Sequence, residues 1–316
     1  MRSAVIGVGN IGTLHASILS RCGLLCAVCD TDEKKLGVYK DLPVYTDYKK
    51  MIDEQKPDSV HICTPHYLHA EMTVYALNRG VNVLCEKPLC ISYDQLESVL
   101  EAEKRSSAAL GVCLQNRYNR ETVFVKKYLE GRKTDFATGV VAWHRTAEYY
   151  ASGEWRGKWA TEGGGVLINQ ALHTLDLLGY LCGTPSYVCS TLGNLSLRGV
   201  IEVEDTATVA TDRFTLFATN SALTDMPVEI SIRTGRDLIK MMPGTVLVNG
   251  EAQDIGEEKF IPLGKECYGS GHGALIADFY DRLGKGEKFP IDGAEGASSV
   301  RMILAAYKSG GEKVKL

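Results

Sequence analysis

Short runs of apolar residues alternate with longer amphipathic segments between residues 2 and 118. The runs have the length of buried strands, and the segments between them have helical spacing. Near-continuous apolar strands separated by helices indicate a parallel sheet covered on both faces, which is a doubly wound α/β domain. The predicted strands are Val5–Gly7, Cys26–Asp30, Val44–Tyr45, Ser59–Cys63, Val81–Cys85 and Leu110–Leu114, and the predicted helices are Thr13–Ser20, Thr31–Tyr39, Leu68–Asn78 and Asp94–Arg105.

The pattern changes after residue 120, where apolar and polar residues alternate in successive segments with few helices between them. Such segments predict a largely antiparallel sheet, and Asn249-Gly250 predicts a tight hairpin. We therefore expect an α+β domain over residues 121–316 after a nucleotide-binding domain over 1–120, with closing helices that can pack back on the first domain. The predicted strands are Val140–His144, Tyr187–Leu197, Thr206–Thr215, Val228–Ile232 and Thr245–Val248, and the predicted helices are Val166–Cys182, Gly273–Arg282 and Ala294–Lys308.

Composition narrows the possible functions. The 316 residues are 45% hydrophobic and 23% charged, which is typical of globular domains, and the net charge is −4. An acidic balance argues against nucleic acid or an anionic membrane as the main partner, because both require a basic surface. No apolar stretch is long enough to span a membrane, and we expect no signal peptide. The ten cysteines are spaced irregularly, so we expect buried free thiols and a reducing, cytoplasmic compartment.

A glycine motif marks a candidate nucleotide site. Gly7-Val8-Gly9-Asn10-Ile11-Gly12 has the spacing G-x-G-x-x-G, directly after the first strand and at the start of the first helix. In this context Gly7 permits a tight turn, Gly9 lets a pyrophosphate approach the backbone, and Gly12 permits close packing of helix and strand. Asp30 ends the second strand, where its carboxylate can bind ribose hydroxyls and repel a 2′-phosphate. NAD is therefore predicted in preference to NADP. The alternative for the glycine motif is that its glycines only form turns.

Two other strand ends carry candidate site residues, because ligands bind at the carboxyl edge of such a sheet. The first is the segment from Cys63 to His69, and the second places Lys87 directly after an otherwise apolar strand. A solvated lysine in a loop is the alternative for Lys87. His66 and His69 are spaced like metal ligands, but no acidic or cysteine partner lies at a suitable spacing, so we predict no metal site.

The second domain has its own candidate site. Three glycines, at positions 163–165, precede a predicted helix on which Asn169 and His173 are four residues apart and hence on one face. The aromatic and basic segment before them includes Trp155 and Arg156, which can cover the C–H surface of a sugar and bind its hydroxyls or a carboxylate. Tyr268 can reach the same cavity. A partly buried loop with exposed cations is the alternative.

Along nearly its whole length the chain resembles the Gfo/Idh/MocA oxidoreductase family. The resemblance covers the glycine motif, Thr64-Pro65-x-x-x-His69, Glu86-Lys87-Pro88, the glycine-rich helix start with His173, and the closing helices. It implies a Rossmann domain that binds NAD(P), a C-terminal domain with a large open sheet that forms the substrate wall and a homodimer or homotetramer interface, and Lys87 and His173 as the catalytic pair. The predicted cofactor-binding residues are Gly7, Gly9, Asn10, Ile11, Gly12, Asp30, Cys63, Thr64, Pro65, His66, His69, Glu86, Lys87 and Gln115, and the predicted substrate-binding residues are Lys87, Trp155, Arg156, Asn169, His173 and Tyr268.

The resemblance implies an oxidoreductase that transfers a hydride between nicotinamide and a secondary alcohol or ketone of a sugar, inositol or related polyol. An imidazole titrates near neutral pH, so His173 is the better base and Lys87 would stabilise an alkoxide, although the two roles can be exchanged. Asn169 departs from the aspartate that many members have. A non-enzymatic NAD(P)-binding sensor, or an enzyme that uses tightly bound NAD without net redox change, are the alternatives.

Overall fold

The computed structural model describes residues 1–258, 260 and 270–316. The chain divides into two compact units. The first comprises Met1–Gln115 and Phe260–Ala297, and the second comprises Asn116–Lys259 and Ser298–Leu316. Each unit has its own sheet.

The first unit contains a six-stranded sheet in the order β3-β2-β1-β4-β5-β6, with all neighbours parallel. This confirms the predicted doubly wound arrangement, because β1 lies in the middle and the chain moves outward from it in both directions. The strands are β1 Ser3–Ile6, β2 Leu25–Cys29, β3 Val44–Tyr45, β4 Ser59–Ile62, β5 Asn82–Glu86 and β6 Leu110–Cys113, and the helices are α1 Asn10–Arg21, α2 Glu33–Leu36, α3 Tyr48–Gln55, α4 His69–Leu77, α5 Tyr93–Arg105 and α10 Gly271–Lys285.

Burial explains why these strands were visible in the sequence. Every residue of β1, β4 and β6 is buried, so their side chains are apolar or hydrogen-bonded on both faces. The predicted helix over Thr31–Tyr39 is wrong in length, because only Glu33–Leu36 is helical. Asp32 caps this helix by accepting a hydrogen bond from the backbone N–H of Lys34, and Gly37 follows its last residue.

The second unit contains a nine-stranded sheet in the order β14-β13-β12-β11-β7-β10-β9-β8-β15. Only β7 and β10 are parallel among its paired neighbours in the described residues, which confirms the large, mostly antiparallel sheet. Asn249 and Gly250 have positive φ values of 52° and 86° in the predicted hairpin turn. The strands are β7 Phe136–Ala142, β8 Tyr187–Gly193, β9 Thr206–Thr211, β10 Phe214–Thr219, β11 Glu229–Thr234, β12 Asp237–Met242, β13 Thr245–Val248, β14 Glu251–Ala252 and β15 Val314–Lys315.

The helix predicted over residues 166–182 is wrong in one respect, because it is two helices with a break between them. The first ends at Asn169 and the second begins at Leu172. The backbone N–H groups of Gln170 and Ala171 both donate to the carbonyl oxygen of Val166, so the chain gains an extra residue within one turn. The remaining helices are α6 Arg120–Tyr128, α7 Ala147–Ala151, α8 Val166–Asn169, α9 Leu172–Cys182 and α11 Gly293–Ser309.

In the part of the chain that the structure describes, none of the helices combines the length and the apolar character that a bilayer crossing demands.

Candidate active site

The glycine-rich turn between β1 and α1 contains the first group of predicted cofactor-binding residues. Gly7 has a φ of +85°, which favours glycine, and a Cβ on Gly12 would lie 1.7 Å from the carbonyl oxygen of Gly7. Gly9 is the N-cap of α1, and a Cβ there would meet no described atom within 4 Å. Asn10 is exposed and Ile11 is half-buried. The open space beside Gly9 therefore lies at a helix N-terminus, where backbone N–H groups favour an anion such as pyrophosphate.

Asp30 follows β2 and is connected to this turn. One carboxylate oxygen accepts a hydrogen bond of 2.9 Å from the backbone N–H of Val8, and the other accepts one of 2.9 Å from that of Asp32. The Lys35 ammonium lies 3.4 Å from the same carboxylate. Asp30 is only 9% exposed, so its charge is held at a fixed position beside the glycine turn.

The loop after β4 is fixed by a buried histidine. The ring nitrogens of His69 lie 2.7 Å from the carbonyl oxygen of Pro88 and 2.8 Å from that of Thr64. His69 thus joins the β4 loop to the turn after β5. Burial lowers the pKa of His69, although both carbonyl contacts oppose this shift. Cys63 is buried next to the glycine turn, where its carbonyl oxygen would lie 2.7 Å from a Cβ on Gly7. The other predicted residues of this loop are Pro65 and the buried His66.

The turn after β5 holds Glu86 and Lys87. Glu86 is 5% exposed, and its carboxylate accepts a hydrogen bond of 3.2 Å from the backbone N–H of Lys87. The same carboxylate lies 3.1 Å from Nε2 of His15 and 3.6 Å from Nε2 of His272. Burial alone would raise the pKa of Glu86, but its contacts with the two histidines outweigh this effect and hold the pKa well below its usual range. Lys87 is half-buried and follows the last residue of the strand.

The sheet order places the predicted residues of the first unit in a row. Asp30, Gly7, Cys63, Lys87 and Gln115 each follow the carboxyl end of a strand, and those strands are neighbours in the order β2-β1-β4-β5-β6. Adjacent strands lie about 4.8 Å apart, so Asp30 and Lys87 are separated by three intervals or about 14 Å. The edge is therefore long enough for an extended dinucleotide.

In the second unit the glycine-rich loop is held by a buried carboxylate. Glu204 accepts hydrogen bonds from the backbone N–H groups of Gly165, at 2.9 Å, and Leu167, at 3.0 Å, and from the hydroxyl of Tyr307, at 3.0 Å. Burial raises the pKa of Glu204 to about 7. A Cβ on Gly164 would lie 1.9 Å from the Tyr307 hydroxyl, so a side chain cannot be accommodated there. Glu204 and Tyr307 thus fix the start of α8.

Asn169 lies at the end of α8 against a second buried carboxylate. Its side-chain amide donates a hydrogen bond to Glu162, which is fully buried, and lies 3.4 Å from the hydroxyl of Tyr149. Glu162 also accepts a hydrogen bond from the backbone N–H of Gly157. His173 belongs to α9 and is half-buried. The prediction that Asn169 and His173 share one helical face is wrong in its reasoning, because the break between the helices separates them.

The aromatic segment forms a stacked arrangement around one arginine. The guanidinium of Arg156 lies 4.5 Å from the ring centroids of both Tyr149 and Trp155, and it donates a hydrogen bond of 2.7 Å to the Tyr149 hydroxyl. The side-chain amide of Gln170 donates to the same hydroxyl at 3.2 Å. The structure therefore brings Trp155, Arg156 and Asn169 together through Tyr149. The predicted residue Tyr268 lies outside the described residues.

Replacing Asn169 by aspartate should destabilise the second unit. The substitution removes the amide donor and sets a second carboxylate against the buried Glu162, so we expect the free energy of unfolding to fall by about 1–3 kcal/mol. The double variant Asn169→Asp, Glu162→Gln restores a donor and acceptor in reversed order and should recover at least half of the loss. Urea unfolding of the wild type, the single variant and the double variant measures these free energies. A single variant as stable as the wild type would show that the two side chains do not interact.

Sequence reasoning missed two buried carboxylates, Glu162 and Glu204. Glu162 directly precedes the glycine run, which is a usable signal, whereas Glu204 has no local signature that distinguishes it. Tyr149 belongs to the aromatic and basic segment before the glycines, but its contacts with Arg156, Asn169 and Gln170 could not be predicted. Asp176, which follows His173 by three residues, forms a buried bidentate ion pair with Arg117 at 2.6 and 2.8 Å. This pair accounts for Asp176 as a structural residue.

Two protein-family models match the chain. The model described as "Oxidoreductase family, NAD-binding Rossmann fold" matches residues 1–114. The model described as "GFO/IDH/MocA C-terminal domain" matches residues 134–213. The two models cover the glycine turn, the Glu86-Lys87-Pro88 turn and the segment that contains Asn169 and His173.

Individual relatives are distant in sequence. The chain is 28% identical over 203 residues to D-glucoside 3-dehydrogenase of Escherichia coli, a match that covers 59% of this chain and only 55% of the relative's length. It is 24% identical to myo-inositol 2-dehydrogenase of Thermotoga maritima over 99% of this chain and 97% of that protein. The solved structure of the WlbA dehydrogenase from Bordetella pertussis in complex with NADH and UDP-GlcNAcA is 26% identical, with a TM-score of 0.86 over 100% of this chain and 98% of that one.

Proposed function

The chain belongs to the GFO/IDH/MocA oxidoreductase family, whose first domain is an NAD-binding Rossmann fold. We propose that it is an NAD-dependent dehydrogenase whose substrate is a secondary alcohol of a sugar, inositol or related polyol, or the matching ketone. The observation that carries the proposal is the row of strand ends in the first unit. It sets the Asp30 carboxylate, the open space beside Gly9 and Lys87 along one sheet edge. NAD, when bound, supplies the hydride acceptor.

The residues of the first unit fit this cofactor. The space beside Gly9 and the N-terminus of α1 suit a pyrophosphate, and the Asp30 carboxylate suits two ribose hydroxyls. The β4 loop, which His69 joins to the turn after β5, lies between the two ends of the row. Cys63, Thr64, Pro65 and Gln115 are proposed to line the cofactor, while the buried His66, His69 and Glu86 are proposed to position that lining.

Lys87 and His173 are proposed to handle the proton of the substrate hydroxyl. The Lys87 ammonium would donate a hydrogen bond to the substrate oxygen and stabilise the negative charge that develops there. His173 would accept the hydroxyl proton, since an imidazole can do so near neutral pH. General acid–base assistance of this kind contributes about 10²–10⁴-fold to a rate.

The substrate class follows from the second unit and from the relatives. The named relatives act on a D-glucoside and on myo-inositol, and the WlbA structure contains UDP-GlcNAcA. Trp155 offers an aromatic face for C–H groups, Arg156 offers hydrogen-bond donors, and Asn169 is fixed between Tyr149 and Glu162. A polyhydroxylated ring satisfies these groups. An attached carboxylate would add a partner for Arg156.

Asp30 should determine the preference for NAD over NADP. A 2′-phosphate about 4 Å from its carboxylate is repelled by several kcal/mol at an effective dielectric constant near 20. We expect Asp30→Asn to weaken NAD binding by at least about tenfold and to reduce the discrimination against NADP by a similar factor. Lys35→Met is the matched variant, because it removes the cation beside Asp30 and should strengthen the preference for NAD.

Titration calorimetry with NAD and with NADP on the wild type, Asp30→Asn and Lys35→Met measures the ratio of the two affinities for each protein. Ratios that move in the same direction in both variants, or that do not move, would contradict the role assigned to the Asp30 charge.

We propose a homodimer or homotetramer formed through the nine-stranded sheet. One face of this sheet exposes apolar side chains on neighbouring strands, where Val140 pairs with Phe217 in register and both are exposed. Exposed apolar patches of this kind mark interaction surfaces.

The nine described cysteines are free thiols, which supports the proposal of a reducing, cytoplasmic compartment.

The experiment that tests the function follows the fluorescence of NADH mixed with the protein while candidate keto sugars and keto cyclitols are added. A dehydrogenase binds NADH and then consumes it when its ketone is supplied. Binding of NADH with no consumption by any compound would favour the alternative of a sensor. A cofactor that survives purification and returns to its starting redox state after each turnover would favour catalysis without net redox change.

A further inference from the structure

Four potential metal ligands from four different elements meet inside the first unit. They are His15 of α1, Glu86 at the end of β5, Cys113 at the end of β6 and His272 of α10, and one ligand atom from each lies within 4.8 Å of all the others. The side chains of all four are buried, with exposures between 0% and 5%. Two imidazoles, a thiol and a carboxylate form a mixed N, S and O donor set, which suits zinc and not magnesium or calcium.

The spacing fits a four-coordinate ion. Ligand atoms about 2.0–2.3 Å from zinc in a tetrahedron are separated from one another by roughly 3.3–3.8 Å. The Glu86 carboxylate lies 3.6 Å from Nε2 of His272, which is within this range, and 3.1 Å from Nε2 of His15, which is about 0.2 Å below it. The widest pair, at no more than 4.8 Å, needs an inward movement of about 1 Å to reach that range.

The charge states suit a divalent cation. Metal binding requires neutral imidazoles and an ionised carboxylate. The Cys113 thiol gives up its proton when it binds the ion. One thiolate and one carboxylate then neutralise a divalent cation, and the buried site carries no net charge.

An outer shell of hydrogen bonds supports one of the proposed ligands. Nδ1 of His15 lies 2.8 Å from Nδ1 of His61, whose Nε2 lies 2.9 Å from the hydroxyl of Tyr280. That hydroxyl is 2.7 Å from Oγ of Ser3. With a metal on Nε2 of His15, its Nδ1–H donates to His61, and the chain of donors continues to Tyr280. Hydrogen bonds of this kind orient metal-binding histidines.

From these four side chains we infer a structural zinc site that fastens α10 to α1 and to the ends of β5 and β6. The site stands apart from the proposed cofactor contacts, but Glu86 is one of its ligands and directly precedes Lys87. Zinc would therefore also fix the turn that presents Lys87. In the absence of zinc, Nε2 of His15 and the Glu86 carboxylate remain in direct contact.

The test measures zinc and cobalt in the full-length protein. The wild type is produced with added zinc, purified without chelators and analysed by mass spectrometry of the metals; we expect about one zinc per chain. Protein produced with cobalt instead should show a thiolate-to-cobalt charge-transfer band and the intense visible bands of four-coordinate cobalt. Cys113→Ser should lose the charge-transfer band, and His272→Asn should lower the metal content. Cys90→Ser is the matched control, because Cys90 is a fully buried thiol of the same unit outside the cluster.

Wild-type protein with less than about one zinc per ten chains, together with no cobalt–thiolate band, overturns the inference whatever the variants do. A charge-transfer band that persists in Cys113→Ser and disappears in Cys90→Ser overturns it as well, because the metal then binds elsewhere. The wild-type measurement keeps the test valid where a variant fails to fold. None of these readouts requires dehydrogenase activity.

Discussion

Lys87→Met lowers kcat by at least about 100-fold while the affinity for NAD stays within about threefold of the wild-type value. The ammonium group is proposed to stabilise charge on the substrate oxygen, so its loss affects the transition state and leaves the ground-state contacts of the cofactor. Methionine retains the length and the apolar stem of the lysine. Steady-state kinetics on the converted substrate, with NAD binding followed separately by calorimetry, measure both quantities.

Lys104→Met is the matched control for this variant. Lys104 is an exposed lysine in the last turn of α5, in the same unit as Lys87. We expect its kcat to stay within about twofold of wild type, since surface substitutions away from a site have small effects. If the kcat of Lys87→Met equals that of Lys104→Met, Lys87 does not take part in the reaction.

Alanine substitutions at two glycines of the same turn should affect different properties: Gly12→Ala should lower stability, and Gly9→Ala should weaken NAD binding. In Gly12→Ala the new Cβ would lie 1.7 Å from the backbone oxygen of Gly7, so we expect a loss of at least about 3 kcal/mol in the free energy of unfolding. In Gly9→Ala the Cβ enters the open space at the start of α1, and stability should change by no more than about 1 kcal/mol. That space is where the pyrophosphate is proposed to lie, so NAD binding should weaken by at least about tenfold.

Urea unfolding and calorimetry with NAD distinguish the two variants. Each glycine is the control for the other, because both are replaced by the same side chain within four residues of chain. Normal NAD affinity in Gly9→Ala would place the pyrophosphate elsewhere. Unchanged stability in Gly12→Ala would mean that the backbone of the turn can move away from the new Cβ without a loss in the free energy of unfolding.

The first unit could be predicted in detail because local sequence determines most of it. Strands β1, β4 and β6 are buried on both faces, so they appear as continuous apolar runs, and the site residues of this unit follow strand ends. Once the parallel order of strands is known, the alignment of Asp30, Gly9 and Lys87 follows from topology. The connection of Asp30 to the backbone N–H of Val8 could not be predicted, because a turn conformation determines it.

The second unit was less predictable because contacts distant in sequence determine its site. Periodicity indicated one helix through Asn169 and His173, but the start of that segment is held by Glu204, more than thirty residues away. The partner of Asn169 is Glu162, whose burial no local pattern indicates. A carboxyl group is therefore still present in this region, because Glu162 accepts a hydrogen bond from the amide of Asn169.

The proposed activity is hydride transfer from a carbinol carbon to NAD, and the most direct measurement follows that hydride as deuterium. A panel of polyols and sugars, including inositols, glucosides and a nucleotide-linked uronate, is first screened for formation of NADH by the wild type. The converted compound is then supplied with deuterium on its carbinol carbon, and the cofactor is analysed by mass spectrometry. We predict one deuterium in NADH for each ketone formed. A product that forms while NADH gains no deuterium, or a panel in which nothing is converted, would contradict hydride transfer from a polyol to NAD by this protein.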